Sequence, residues 1–273
     1  MHRAVAILIG ILVAVPLAAE IFPDKNLEAA VRHYVFEKRH TEDPITAEDV
    51  ASISTITARS KGIRDLTGLE HCKRLMLLEL PGNEISDISP ISDLELLQSL
   101  TLTDNQVEDI APLAGLKRLQ YIELSNNKIT DISPLAGLEA LNSAYLSGNQ
   151  IGDLSAVKGL AKLWTLDVAD NAVSSVGPVG SLTRLSTLNL DGNQVEDLKP
   201  LAPLTSLRRL SLRSNMISEI GTLVEMAEKD IEGDSRFARY WSVSLQGNPL
   251  SSQAKKEHVQ ALKKYSFRIE ADE

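Results

Sequence analysis

A chain of 273 residues with 43% hydrophobic content can bury a large core, and its formal net charge of −9 disfavours a nucleic-acid backbone as partner. Aromatic residues make up only 4% of it, so the core is expected to be layered from aliphatic side chains. A single cysteine excludes any disulfide within the chain.

Residues 1–19 read as a secretory signal. His2 and Arg3 open it, Ala4 to Val15 form an apolar run of twelve, and Leu17-Ala18-Ala19 supplies small residues for cleavage. Such a run is short for a bilayer core of about 30 Å, so cleavage rather than a retained anchor is expected. No cysteine follows the run and no apolar tail closes the sequence, so neither a lipid anchor nor a C-terminal membrane anchor is expected. A secreted or periplasmic location follows, with no stable membrane insertion after cleavage.

Residues 20–60 are expected to form a helical N-terminal cap. Leu27, Ala30, Val31, Tyr34 and Val35 share one helix face behind the start signals Asp24 and Asn26. A second, short helix begins at Thr46, where Thr46 and Asp49 form a capping box ahead of Val50 and Ile53.

From residue 61 to 220 the chain repeats. Asn83, Asn105, Asn127, Asn149, Asn171, Asn193 and Asn215 follow one another at intervals of 22 residues, the signature of a solenoid. Before each asparagine, apolar positions such as Leu97, Leu100 and Leu102 alternate with polar ones, which reads as a short strand with one buried face. The asparagine suits a tight turn, where its amide satisfies backbone groups the turn would bury unpaired. Four residues later stand Asp87, Asp109, Asp131, Asp153 and Asp197, placed to cap a short helical turn that often opens with proline. The same column, about 5 Å apart at strand spacing, is a poor calcium site: it breaks at Ser175 and lacks the interspersed ligands of a calcium loop. A degenerate coil precedes the seven, with Ile53, Ile56, Ile63, Leu66 and Leu69 in frame but Lys61 in the asparagine's place. Cys72, at a position filled later by Leu94 and Leu116, reads as a small buried hydrophobe.

The pattern LxxLxLxxNxIxDIxPLxxL resembles the 22-residue leucine-rich repeats of bacterial internalin-like proteins, and the IFPDKNLEAAV run is similar to the start of their caps. The resemblance implies an α/β solenoid: a horseshoe, or right-handed superhelix, with a parallel sheet on the concave face and short 3-10 or helical turns on the convex face. It also implies a role in binding cell-surface or host proteins. No wall-sorting motif accompanies it here, so adhesion to a host is not implied.

An eighth asparagine, Asn248, follows Asn215 after 33 residues, so the coil over residues 221–250 is enlarged. Leu223, Met226, Ala227 and Ile231 keep helical spacing, and Phe237, Tyr240 and Trp241 lead back into a strand over Val243 to Leu245. This coil is read as part of the cap; the alternative is a projecting element presenting Arg236, Arg239 and Trp241 to a partner. Residues 251–273 form the C-terminal cap. A helix begins at Ser251 or Ser252 and carries Ala254, His258, Ala261 and Leu262, and Phe267 and Ile269 alternate as a last strand.

Catalysis needs a nucleophile, base or metal set converging on a cleft. The histidines (His2, His33, His40, His71 and His258) avoid the repeat strands, and no HExxH, GxSxG or phosphate-loop spacing occurs. No enzyme activity, cofactor or metal is therefore expected. Binding would use the outward positions of the strands. There Tyr121, Glu123, Tyr145, Asp167, Asn189, Asp191, Arg209 and Arg213, with Trp164 on the flank, make a bipolar face with tyrosines at its centre. A monomer binding a protein ligand is the expected state. A structural or regulatory envelope protein that binds glycan or inhibits a secreted enzyme is the alternative, and the signal disfavours the cytosolic phosphatase regulators that share this repeat length. N-terminal sequencing of the exported protein is expected to start near residue 20; an intact Met1 would contradict cleavage.

Overall fold

Each 22-residue frame folds into one coil of a solenoid in the computed structural model, which describes residues 20–266 and 268–272. The signal segment and Phe267 lie outside the described residues. The coils contribute strands β1 (Thr55–Thr57), β2 (Leu77–Glu79), β3 (Ser99–Thr101), β4 (Tyr121–Glu123), β5 (Ser143–Tyr145), β6 (Thr165–Asp167), β7 (Thr187–Asn189), β8 (Arg209–Ser211), β9 (Ser242–Ser244) and β10 (Arg268–Glu270). They line up in sequence order as one open parallel sheet, each paired in register with the next, as in Leu100↔Ile122 and Ile122↔Ala144. The first strand lies within residues 20–60, so the sheet begins inside the stretch read as a helical cap.

The middle residue of each repeat strand is buried, and so are the leucines flanking it, such as Leu97 and Leu102. Convex turns close each coil as short 3-10 segments, among them Ser89–Ile91, Ala111–Leu113 and Ser133–Leu135, each with proline as its second residue. A fully buried leucine side chain contributes about 1.5–3 kcal/mol, and every coil supplies several. No coil can bury that ring alone, so stability is a property of the stack.

The asparagine ladder fixes the stacking. Asn149 Oδ1 accepts the Ile129 N–H at 3.0 Å, and its Nδ2 donates to the carbonyls of Leu124 at 3.1 Å and Leu146 at 2.9 Å. Ile129 and Leu124 belong to the preceding coil. The same pattern recurs from Asn83 to Asn215 and again at Asn248, which accepts from Ile217 N–H at 3.1 Å and donates to Leu212 at 2.7 Å. All of these side chains but that of Asn171 are buried.

The aspartates cap the convex turns. Asp131 Oδ1 accepts the Ser133 N–H at 2.7 Å while Oδ2 accepts its hydroxyl at 2.8 Å. The Ser133 backbone bond, then the hydroxyl bond, holds the Asp131 carboxyl below its ordinary range. Where Ser175 replaces aspartate, its hydroxyl takes the equivalent Gly177 N–H at 3.4 Å. Among the described residues no group of three or more His, Cys, Asp or Glu is arranged to hold a metal.

At the N-terminus, α1 (Lys25–Arg32) is capped by Asp24, whose Oδ1 accepts from Asn26 N–H at 2.8 Å and Leu27 N–H at 3.1 Å. Its Oδ2 reaches into the first coil, accepting from Arg64 N–H at 2.7 Å and Asp65 N–H at 3.1 Å. Burial raises the Asp24 pKa, but these backbone donors outweigh it and the net shift is downward. The Thr46–Asp49 box opens α2 (Ala47–Val50), as the sequence indicates. Tyr34, just past the end of α1, closes the free edge of β1: its hydroxyl accepts the Thr57 N–H at 2.9 Å and donates to the Thr57 carbonyl at 3.4 Å.

The enlarged coil contains α3 (Gly221–Glu232). Buried Asp230 then takes the N–H groups of Arg236, Phe237 and Ala238 at 2.9–3.1 Å, which folds the chain back toward β9. Trp241 is fully buried, edge-on to Phe237 with ring centroids 5.1 Å apart, so it is not presented to a partner. Tyr240 beside it, at the position where the other repeats carry a buried leucine such as Leu207, is the exposed ring. The C-terminal cap is a π-turn, Ala254–His258, running into α4 (Val259–Tyr265) and then β10. Cys72 is buried, and burial, with Glu70 adding to it, pushes its thiol up to about 12.

Asn149→Ala leaves a buried N–H and two buried carbonyls short of a partner, at roughly 1–3 kcal/mol for each group left fully unpaired. Urea unfolding is expected to show a loss of about 3 kcal/mol, whereas exposed Gln150→Ala should stay within about 0.5 kcal/mol. Equal effects would remove the ladder from its place in stability.

Candidate binding surface

The outer residues of every strand form two columns on the concave face, because side chains alternate across a strand and the parallel register stacks equivalent positions. Tyr121 is in register with Ser143, and Glu123 with Tyr145. The two tyrosines therefore meet diagonally across β4 and β5, with ring centroids 5.6 Å apart and planes tilted by 46°. Burial, followed by the charges of Glu123, Tyr145 and Glu79, raises the Tyr121 pKa, so its phenol remains a protonated donor. Glu123 is held in place by the Ser125 N–H at 3.1 Å.

Toward the C-terminus the polar residues bond mostly to one another. Asp167 Oδ1 accepts from Ala169 N–H at 3.1 Å, and Asn189 Nδ2 donates to its Oδ2 at 3.1 Å. Asn189 Oδ1 accepts the Asp191 N–H at 3.2 Å, and Asp191 accepts the Arg213 N–H at 2.7 Å. Arg213 then donates to Gln246 at 3.2 Å and pairs with Glu270 at 2.7 Å. Arg213 thus ties β8 to the C-terminal cap, whereas Arg209 stands exposed with no carboxylate at ion-pair distance among the described residues.

Trp164 is 48% exposed at the ascending edge of β6. Two coils on, in the same repeat position, Arg208 lies over the exposed ring of Tyr240 at 5.9 Å. Sequence reasoning missed this pair because the enlarged coil breaks the 22-residue count, although Arg208 shares the repeat position of Trp164.

A leucine-rich repeat family model, in two copies, matches residues 96–137 and 117–162. An internalin of Listeria monocytogenes (inlF) superposes with a TM-score of 0.78 at 30% identity, covering 92% of this chain and 77% of that one. Internalin C2 of the same organism superposes with a TM-score of 0.74 at 32% identity, covering 82% of this chain and 94% of that one. The chain belongs to the bacterial internalin-like leucine-rich repeat family. A leucine-rich repeat protein of Leptospira interrogans shares the fold, at TM-score 0.70 and 22% identity over 83% of this chain and 62% of that one. No curated protein matches the chain. Among the described residues of this internalin-like chain, no helix is long and apolar enough to cross a membrane.

The Glu270 carboxyl is held down at about 2, first by the Gln246 side chain and then by Arg213, with Arg268 adding to both. A depressed carboxylate stabilises the folded state above its ordinary pKa and stops doing so as pH falls through the folded value. The difference in urea midpoint between wild type and Glu270→Gln is therefore expected to be full above pH 4.5 and to vanish as pH falls toward 2. A difference constant across that range would contradict the pairing.

Proposed function

We propose that this internalin-like chain is a non-enzymatic, extracytoplasmic recognition module that binds a protein ligand, as a monomer, through the concave face around Tyr121 and Tyr145. The observation that carries this reading is the tyrosine pair itself: two half-buried rings in contact, bordered by Glu123 and Asp167, near the middle of the sheet. Tyrosine and tryptophan supply large contact area at low entropic cost, and residues of this kind dominate interface energetics. The flanking carboxylates match a partner with a basic patch. The fold also supports recognition: the leucine-rich repeat ectodomain of a plant receptor kinase from Arabidopsis thaliana, at 20% identity and TM-score 0.62 over 76% of this chain and 26% of its own, was solved in complex with CASPARIAN STRIP INTEGRITY FACTOR 2. Membership of a family whose members are typically extracytoplasmic and generally non-enzymatic supports the location and the absence of catalysis.

A pull-down from envelope and extracellular fractions is expected to recover a partner with wild-type protein and lose it with Tyr121→Ala/Tyr145→Ala. Each truncation should cost about 2 kcal/mol of affinity, roughly 30-fold. A partner kept at full affinity by the double variant would move the site off this face. Recovery of none would favour the structural role.

A further inference from the structure

The tyrosine pair sits in a field of one sign. Tyr145 is in direct register with Glu123 on β4 and with Asp167 on β6, so a carboxylate residue stands on either side of it in one column. Further along that column Glu123 is in register with Thr101, and Thr101 with Glu79. No outward position of β2 to β7 holds a lysine or arginine. None of the three carboxylates has a cation at ion-pair distance among the described residues. The chain supplies this column with no counter-charge of its own.

The three carboxylates differ in what they have left to offer. Asp167 spends Oδ1 on the Ala169 N–H and Oδ2 on Asn189. Glu123 uses only Oε1, on the Ser125 N–H, and its Oε2 takes no hydrogen bond among the described residues. Glu79 accepts only the Thr57 hydroxyl, at 3.4 Å. Glu79 and Glu123 stand two strand spacings apart, about 10 Å, too far to converge on a single ion. The rings are equally uncommitted: neither the Tyr121 nor the Tyr145 hydroxyl bonds to another described residue.

We propose that the protein ligand anchors on this face through an arginine, its guanidinium stacked on the Tyr121–Tyr145 pair and its edge N–H groups on Glu123 Oε2, with a second basic residue of the same ligand on Glu79. This rests on the recognition reading above and names the chemistry the partner must carry. A cation over an aromatic face is attracted by the ring quadrupole. A guanidinium is flat enough to stack and still keeps donors at its rim for a carboxylate, whereas a lysine ammonium is a compact, strongly hydrated point charge. The Glu123–Tyr145 register puts carboxylate and ring on adjacent strands, about 5 Å apart, within the span of one guanidinium. The free phenols remain to donate to carbonyls of the segment that carries the arginine.

The test compares dye-labelled hexapeptides of arginine, lysine and citrulline by fluorescence anisotropy; citrulline keeps the planar shape without the charge. Physiological ionic strength, with screening over about 8 Å, suppresses long-range attraction to the acidic chain. The arginine peptide is expected to bind saturably, the lysine peptide about threefold or more weakly, and the citrulline peptide not at all. Tyr121→Leu/Tyr145→Leu keeps the net charge and apolar volume, and should weaken arginine binding about tenfold. Glu123→Gln should weaken it about threefold, and Glu108→Gln, which removes the same charge from an exposed position past the Asn105 turn, by less than about twofold. Equal binding of the arginine and lysine peptides, or indifference to the tyrosines, would overturn the anchor. In the pull-down, a partner lost with Tyr121→Ala/Tyr145→Ala but kept at full affinity with Glu123→Gln would overturn the arginine while leaving the recognition face in place. A partner kept by the tyrosine variant would remove both.

Discussion

The structure depends on an asparagine side chain that serves the coil before its own. Each amide closes its own turn and takes an N–H and a carbonyl of the preceding coil, as Asn127 does with Val107 N–H at 2.9 Å and the Leu102 carbonyl at 2.9 Å. The ladder therefore has a direction, and its ends behave differently. The first coil has no coil before it, so Lys61 can replace asparagine there; the coil is served from in front by Asn83, which accepts Lys61 N–H at 2.9 Å and Ile63 N–H at 3.1 Å. At the far end Asp272 takes the Gly247 N–H at 2.6 Å, a group that in earlier coils, as at Gly82 and Gly148, donates to a backbone carbonyl of the next coil. Cap side chains also close both ends, Asp24 and Tyr34 on the first coil and Asp272 on the last, consistent with the need of solenoids for specialised termini.

The same local logic governs the aspartate column. A calcium ligand needs free oxygen lone pairs converging from several residues. Here each carboxylate is engaged by its own turn: Asp153 Oδ1 accepts both the Ser155 N–H at 2.8 Å and its hydroxyl at 2.7 Å. Those bonds, the hydroxyl first, lower the Asp153 pKa, as expected for a carboxylate stabilised in its charged form by short-range donors. The column is a set of separate caps that happen to stack.

How much was legible follows from this period. Strand positions, buried leucines, turn asparagines and capping aspartates repeat every 22 residues, so one frame interprets the others and the sheet register needs no further information. The tyrosine contact was legible for the same reason, since Tyr121 and Tyr145 occupy outward positions on neighbouring coils. Legibility ends where the period does. In the 33-residue coil nothing fixes which of Tyr240 and Trp241 turns inward until the Asp230 cap and the Phe237 ring are placed. Likewise Arg213 reads as a free surface cation until β10 brings Glu270 to it from 57 residues away. Contacts made across the irregular cap carry no periodic signal.

These internal bonds also sort the concave surface into fixed and available groups. The polar chain from Asp167 through Asn189 and Asp191 to Arg213 and Glu270 is already hydrogen-bonded, so a ligand would have to replace existing partners to use it. Groups with capacity to spare are the tyrosine pair at the centre and the Trp164, Arg208 and Tyr240 set on the flank. The tyrosine pair, Trp164 and Arg208 stand on strands or strand edges locked by the ladder, so little conformational entropy is lost on engagement. The two differ in sign: carboxylates border the tyrosines, and the exposed Arg208 and Arg209 border the flank. Opposite fields a few coils apart cannot both suit one small ligand of uniform charge, so centre and flank are chemically distinct surfaces on one sheet.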